Sequence, residues 1–437
     1  MQFYRNVIST IFALCLFVIP LHLVAAPEGE YIIISKKGSE NITLALNKLD
    51  VQRGDDGKVA HSLDLIIRDA LAFPALFTIL APQVTVQDNS GINYSALGSI
   101  NAEVYVRGTV TTIAGNVTLD MKVYSIGAAK LLFSKTYSGK ETQLRPVGHA
   151  FCADLVEHLT GRRSAFGSKI VFVSNKTGFK EIYQCDFDGK DVEQLTSSRS
   201  ISLTPALSPD GKNLAYTDYS TGRPALYIRN QLDGKTVMAS KSGISIDPAW
   251  RNSRELATTL SFEGDQEIYL LKSDGALYRR LTRSNGIDLS PTFSPDGNKM
   301  AFVSGRNGQP QIFIQDLLSG EARRLTFNGD YNTQPSWSPS GDKIAYTTCE
   351  NSGEFNIFTV GTDGAGLRQL TAQAGQNESP SWSPDGEMIV FTSNRDGKKR
   401  LYTMGATGRN QLALLQMSGS LYWAAFSGKR ASRISSR

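Results

Sequence analysis

The tetrapeptide Ser-Pro-Asp-Gly returns at a fixed interval through the second half of this chain. Ser208-Pro209-Asp210-Gly211, Ser294-Pro295-Asp296-Gly297, Ser338-Pro339-Ser340-Gly341 and Ser383-Pro384-Asp385-Gly386 are four copies. Degraded copies stand at Arg251-Asn252-Ser253-Arg254 and Ser427-Gly428-Lys429-Arg430. Their first residues fall at 208, 251, 294, 338, 383 and 427, which sets a period of 43 to 45 residues. A period of that length over six copies marks a stacked or circular repeat architecture and moves the functional expectation from catalysis toward binding.

Each repeat reads in one order. A β-branched and aromatic strand such as Lys169-Ile170-Val171-Phe172-Val173-Ser174 or Met388-Ile389-Val390-Phe391-Thr392-Ser393 comes first. A polar Gly loop, a second strand such as Glu181-Ile182-Tyr183, and an Asp-Gly turn follow. A further strand closes on Leu-Thr (Leu195-Thr196, Leu281-Thr282, Leu325-Thr326, Leu370-Thr371), and a short strand is led by proline, as in Pro248-Ala249-Trp250. Alternating apolar residues between Gly/Asp turns mean antiparallel strands. Four strands per repeat make a propeller blade, and radial packing protects the sheet edges. The reading is an all-β six-bladed propeller over residues 163–428. The chain enters it on a second-strand motif and leaves on Tyr422-Trp423-Ala424-Ala425-Phe426, a first-strand motif. The last strand is therefore expected to complete the first blade and close the ring.

Residues 26–162 show no such period and read as a small α+β domain. Strands are expected at Tyr31–Ile34 and Ile42–Leu46, and a meander over 103–112, 117–124 and 131–137. Helical spacing runs through Leu63, Ile66, Ile67 and Ala70, and again from Pro146 to Leu159, where Gly161 acts as the stop. Ahead of this domain, Arg5, the apolar run Val7 to Leu23 and the small residues Val24-Ala25-Ala26 read as a signal peptide over 1–25, cut after Ala25. The mature chain is expected to be exported. Residues 429–437 form a basic tail with Lys429, Arg430, Arg433 and Arg437, read as solvated.

Composition narrows the function classes. The net charge is +5, and residues 26–160 hold 12 Lys and Arg against 14 Asp and Glu. No folded basic face is visible, so nucleic acid is not expected as a partner. Cys152, Cys185 and Cys349 are an odd number, and Cys185 and Cys349 lie in distant repeats. All three are expected as buried free thiols. The propeller has no His; His61, His149 and His158 all precede it. His149 and Cys152 at i, i+3 supply two ligands, and two do not close a zinc site. Gly-x-Ser-x-Gly elbows and phosphate-binding Gly loops are absent from the sequence. No cofactor, catalytic residue or metal ligand is expected.

A surface remains. The loops before the first strand and after the second lie on one propeller face. The residues before each leading proline therefore ring one mouth of the central tunnel: Thr204, Asp247, Ser290, Gln334 and Ser379, with Asp288, Thr333 and Glu378 close by. Loops on a rigid scaffold are where binding concentrates.

The domain order and the junction motifs Ser95-Ala96-Leu97-Gly98, Leu144-Arg145 with Gly148-His149, and Leu159-Thr160-Gly161 with Ala165-Phe166 resemble the TolB family, periplasmic components of the Tol–Pal system. The resemblance covers residues 26–428, departing at the Arg251 turn and in the basic tail. It implies a non-enzymatic, monomeric periplasmic adaptor, membrane-associated through its partners. The mouth would bind the peptidoglycan-associated lipoprotein Pal. A flexible arm with Glu28, Glu30, Tyr31, Ile32, Ile33 and Ile34 would reach TolA, its position biasing Pal binding. Outer-membrane proteins are further candidate partners. The machinery would serve outer-membrane integrity and constriction at cell division. The rival is a periplasmic propeller hydrolase or lactonase holding a cation in the tunnel. Few acids inside the first strands disfavour it, while Asp247 and Glu378 keep it open.

Overall fold

The computed structural model describes residues 41–53, 57–73, 76–82, 87–88, 91–161, 164–239, 243–261, 264–349, 353–427 and 435–436. The expected signal segment 1–25 and the arm from Glu28 to Ile34 lie outside them.

The N-terminal domain is an α+β layer pair. Strands β1 (Ile42–Leu46), β2 (Asp50–Arg53) and β3 (Phe77–Leu80) join β6 (Val104–Ile113), β7 (Asn116–Ser125) and β8 (Lys130–Lys140) in one sheet. A two-stranded ribbon of β4 (Gln87–Asp88) and β5 (Gly91–Ile92) stands apart. The β6–β7–β8 meander is antiparallel, whereas β1 pairs parallel with β3 and β6, and β2 parallel with β6. Parallel pairing needs a crossover, supplied by α1 (Lys58–Ala72) between β2 and β3. A short helix α2 (Tyr94–Ser99) begins on Asn93, whose side chain accepts the Ala96 N–H at 2.9 Å. Helix α3 (Leu144–Thr160) ends at Gly161 in the left-handed conformation, with φ 68°. Val147, Phe151, Leu155 and Leu159 of α3 pack with Leu63 and Ile67 of α1 and Val106, Val110, Leu119 and Val123 of the sheet. Burying side chains of this size contributes about 1.5–3 kcal/mol each. The same cluster takes in Phe187 and Met388 of the next domain, so one core crosses the junction.

Six four-stranded antiparallel sheets follow as propeller blades. Blade 1 is built from Lys169–Ser174, Glu181–Asp186 and Glu193–Gln194, and its innermost strand is Leu421–Phe426 from the end of the ring. Leu421 pairs with Ser174 and Phe426 with Ile170, so the two ends of the propeller are stitched by main-chain bonds. Blades 2 to 6 open at Ser202, Ser245, Asp288, Tyr331 and Asn377. In the Ser-Pro-Asp-Gly turns the serine ties the hairpin: Ser208 Oγ donates to Asp210 Oδ1 at 2.7 Å and accepts the Asn213 N–H at 3.0 Å. The divergent turn of blade 3 is held differently. Asn252 Oδ1 accepts the Arg254 and Glu255 N–H groups, and Arg251 bonds Glu255 and the Gly297 carbonyl. The repeated Leu-Thr also has a physical reason. The Thr196, Thr282, Thr326 and Thr371 hydroxyls accept buried N–H groups of Ile182, Ile268, Ile312 and Ile357 at 2.8–3.0 Å.

Cys152 and Cys185 are buried free thiols, but Cys349 is only half-buried. Ser435–Ser436, in the tail read as solvated, instead pair antiparallel with Ser138 and Tyr137 on the edge of β8. Among the described residues no helix is long and apolar enough to cross a membrane.

Candidate functional site

The innermost strand of every blade carries a bulge at the same place. Register shifts fall between Leu203 and Ala206, Ile246 and Ala249, Leu289 and Thr292, Thr333 and Ser336, Glu378 and Ser381, and Tyr422 and Ala425. Inside each bulge one non-glycine residue is left-handed: Thr204, Asp247, Ser290, Gln334, Ser379 and Trp423, with φ between 46° and 56°. Such backbone is uncommon outside glycine, and an outlier for β-branched Thr204. It costs on the order of 1–3 kcal/mol per residue and concentrates at functional sites. Five of the six precede proline, a position that ordinarily favours extended backbone. Sequence reasoning therefore located these residues without seeing their conformation. It missed Trp423, whose successor is alanine; the repeat spacing was the signal that could have found it.

These six residues line a single central cavity of about 470 Å³. Thr333 lines it as well. Hydrogen bonds between neighbouring blades surround it, among them Ser290 Oγ donating to Asp247 Oδ2 at 2.7 Å and the Ser379 N–H donating to Gln334 Oε1 at 2.9 Å. Asp247 is the sole carboxylate of the lining among the described residues. Burial pushes its pKa above the usual carboxylate range, against the opposing Ser290 hydroxyl.

Two of the expected mouth residues are not brought to the cavity. Asp288 is fully buried at the start of its strand, where Arg306 Nη2 lies 2.8 Å from Oδ2. Burial pushes its carboxyl up, while the Ser304 hydroxyl and Arg306 pull it down. Glu378 is partly exposed and ion-paired with Lys399 Nζ at 2.8 Å. Neither carboxylate joins Asp247 in the cavity lining. Among the described residues no group of three or more His, Cys, Asp and Glu is placed to hold a metal.

The opposite face carries the tight turns and receives the N-terminal domain. Arg145 of α3 reaches three carboxylates in blade 1: Asp186 Oδ2 at 3.1 Å, Asp188 Oδ1 at 2.9 Å and Asp191 Oδ2 at 2.8 Å. Burial raises the pKa of Asp186, but Lys169 Nζ at 2.5 Å and Arg145 outweigh it and hold the carboxyl below its ordinary value. In the blade 6 turn, Asp385 Oδ2 accepts the Ala165 N–H at 2.7 Å. His149 is buried between these groups, with Phe187 and Phe166 at ring distances of 5.3 and 6.3 Å. Its Nε2 has no hydrogen-bond partner among the described residues. Burial, and then the Arg145 charge, lower its pKa to about 4. Cys152 donates weakly to the Ile67 carbonyl at 3.9 Å, and burial pushes its thiol pKa up. His149 and Cys152 are thus a junction residue and a core residue.

With this geometry in hand, the chain can be set beside known proteins. The family described as TolB beta propeller domain matches residues 156–430. A curated TolB homolog of Chlorobium luteolum is 59% identical over 408 residues, covering 92% of this chain and 93% of that one. The TolB homolog of Chlorobaculum tepidum is 53% identical over 387 residues, covering 88% and 89%. A Tol-Pal system protein TolB of Desulfosudis oleivorans is 41% identical over 269 residues, covering 59% and 61%. The crystal structure of TolB from Acinetobacter baumannii superposes with a TM-score of 0.78 at 24% identity, covering 89% of this chain and 97% of that one, which speaks to the fold.

Proposed function

Since the chain belongs to the TolB family, we propose that it is a non-enzymatic periplasmic adaptor of the Tol–Pal system that binds Pal at the propeller mouth and TolA through its N-terminal arm. Its contribution is to outer-membrane integrity and to constriction at division. The observation that carries this reading is the ring of left-handed residues around one cavity, on the face turned away from the N-terminal domain. Strained backbone there presents fixed polar groups at five of the six positions, and among the described residues no metal-holding cluster stands beside them. A rigid ring of that kind suits recognition of a folded partner. The arm, residues 26–37, supplies the second contact, and its docking or release biases affinity at the mouth by linkage. A pull-down from solubilised envelope with the mature chain tests the assignment: Pal and TolA are expected among the recovered proteins, and recovery of neither contradicts it.

A further inference from the structure

The mouth is six-fold in its backbone and asymmetric in its chemistry. The residue entering the innermost strand is Ile201 in blade 2, Ile244 in blade 3, Ile287 in blade 4 and Tyr331 in blade 5, with 39–42% of each exposed. The equivalent positions of blades 6 and 1 are Gln376 and Ser420. Single exposed apolar residues are ordinary, but three isoleucines and a tyrosine in register on consecutive blades form an apolar arc.

The seam between blades 6 and 1 is basic and aromatic instead. Lys180 Nζ sits 5.2 Å from the Tyr422 ring centre and 5.6 Å from that of Trp423. Lys399 Nζ lies 5.6 Å from Tyr422. The exposed Lys176 and Lys398 flank them from the loops after the second strands of blades 1 and 6. Those two blades meet here, since the Leu421 N–H of the blade 1 strand donates to the Lys399 carbonyl of blade 6 at 2.9 Å. Lys399 is paired with Glu378, but Lys176, Lys180 and Lys398 have no carboxylate partner among the described residues. Exposed acids stand elsewhere on this face, at Asp265 on the loop of blade 3 and at Asp330 and Glu354 on the loops of blade 5, while the exposed Asp396 beside Lys398 accepts the Tyr402 hydroxyl.

A ring of near-identical blades offers a partner six equivalent rotations. Only a difference in charge or apolar surface around the ring makes one rotation win. We propose that the mouth takes its partner in one rotational register, an acidic protein segment over the seam of blades 6 and 1 and an apolar segment over blades 2 to 5. This rests on the reading that the mouth is the docking face. Unpaired lysines at the seam would also steer encounter, and that part of the affinity falls with salt.

The test uses the mature full-length chain and the soluble domain of Pal from the same organism as probe, with calorimetry at low and high salt. K176E/K180E/K398E is expected to weaken binding at least about tenfold and to flatten its salt dependence, since like charges would now face the acidic segment. D265K/D330K/E354K is expected to bind as the parent or more tightly. K176E/K398E, which changes only exposed side chains, serves if the triple variant loses its fold by circular dichroism. Unchanged affinity and salt slope in the lysine variants, with binding lost in D247K/S290R, would overturn the register and leave the docking face standing. Parent-like binding in all of them would overturn both.

Discussion

Arg145 Nη2 lies 2.9 Å from Asp188 Oδ1, so a helix of the N-terminal domain grips a hairpin turn of blade 1. The same guanidinium reaches Asp186 and Asp191, and the side chain is only 16% exposed. Planar, multidentate bonding of this kind is what arginine does and lysine does not. Removing it leaves the buried Asp188 side chain without its cation and Asp186 with Lys169 alone, among the described residues. Arg145→Ala is expected to cost about 2–3 kcal/mol in urea unfolding, with Arg145→Lys recovering only part. A variant within about 0.5 kcal/mol of the parent would show the junction to be held elsewhere.

His149 makes that junction sensitive to acid. Its folded pKa of about 4 lies below the ordinary 6.5, so the unfolded chain binds its proton first. The stability this contributes is fully present above pH 6.5 and is lost as pH falls from 6.5 to about 4, amounting to about 3 kcal/mol. The upper part of that window, above pH 5, precedes carboxylate protonation. Chemical denaturation between pH 5 and 7 should show stability rising with pH in the parent and nearly flat in His149→Leu. Equal slopes in both would assign the effect to other groups.

Ring closure gives a third expectation. Leu421 and Ala424 of the closing strand are buried against blade 1. Truncation before Leu421 removes the main-chain ladder and exposes the Lys169–Ser174 edge. The melting midpoint is expected to fall by about 10 °C or more, as a loss of several kcal/mol does in a domain of this size. A truncated chain that melts like the parent would mean the ring is held by blade-to-blade packing alone.

Much of this was legible in the sequence, for identifiable reasons. Ser208 and Asp210 recur because each pair ties its own hairpin, and Thr196 and its counterparts recur because each hydroxyl accepts a buried amide. Local chemistry repeated in four blades leaves a pattern. The left-handed Thr204 and Asp247 left none, because a residue before proline reads as extended. Asp288 was misplaced because exposure of a strand's first residue depends on its neighbour, here Arg306, 18 positions on. Asp188 read as ordinary turn chemistry, and it does cap Lys190 within its own turn; its bond to Arg145 spans 43 residues and is invisible locally. Strands β2 and β3 were missed because they are four residues long and pair in parallel, without a hairpin turn to announce them.

The N-terminal arm should act as a separable module. Ordering such a segment costs about 1–2 kcal/mol per residue, which docking would have to offset. Removing residues 26–36 is expected to abolish TolA binding and to change Pal affinity without touching the mouth. Calorimetry with each partner decides it, and unchanged binding to both would reduce the arm to an ordinary chain terminus.

The most direct test of the adaptor reading is calorimetric titration of the soluble Pal domain into the mature chain and into Asp247→Lys with Ser290→Arg. These changes place two cations in the central cavity and remove the bond that joins blades 3 and 4 there. The account predicts that the folded double variant loses Pal binding by at least about 100-fold. A dissociation constant equal to the parent's, in a variant with parent-like circular dichroism, would contradict it.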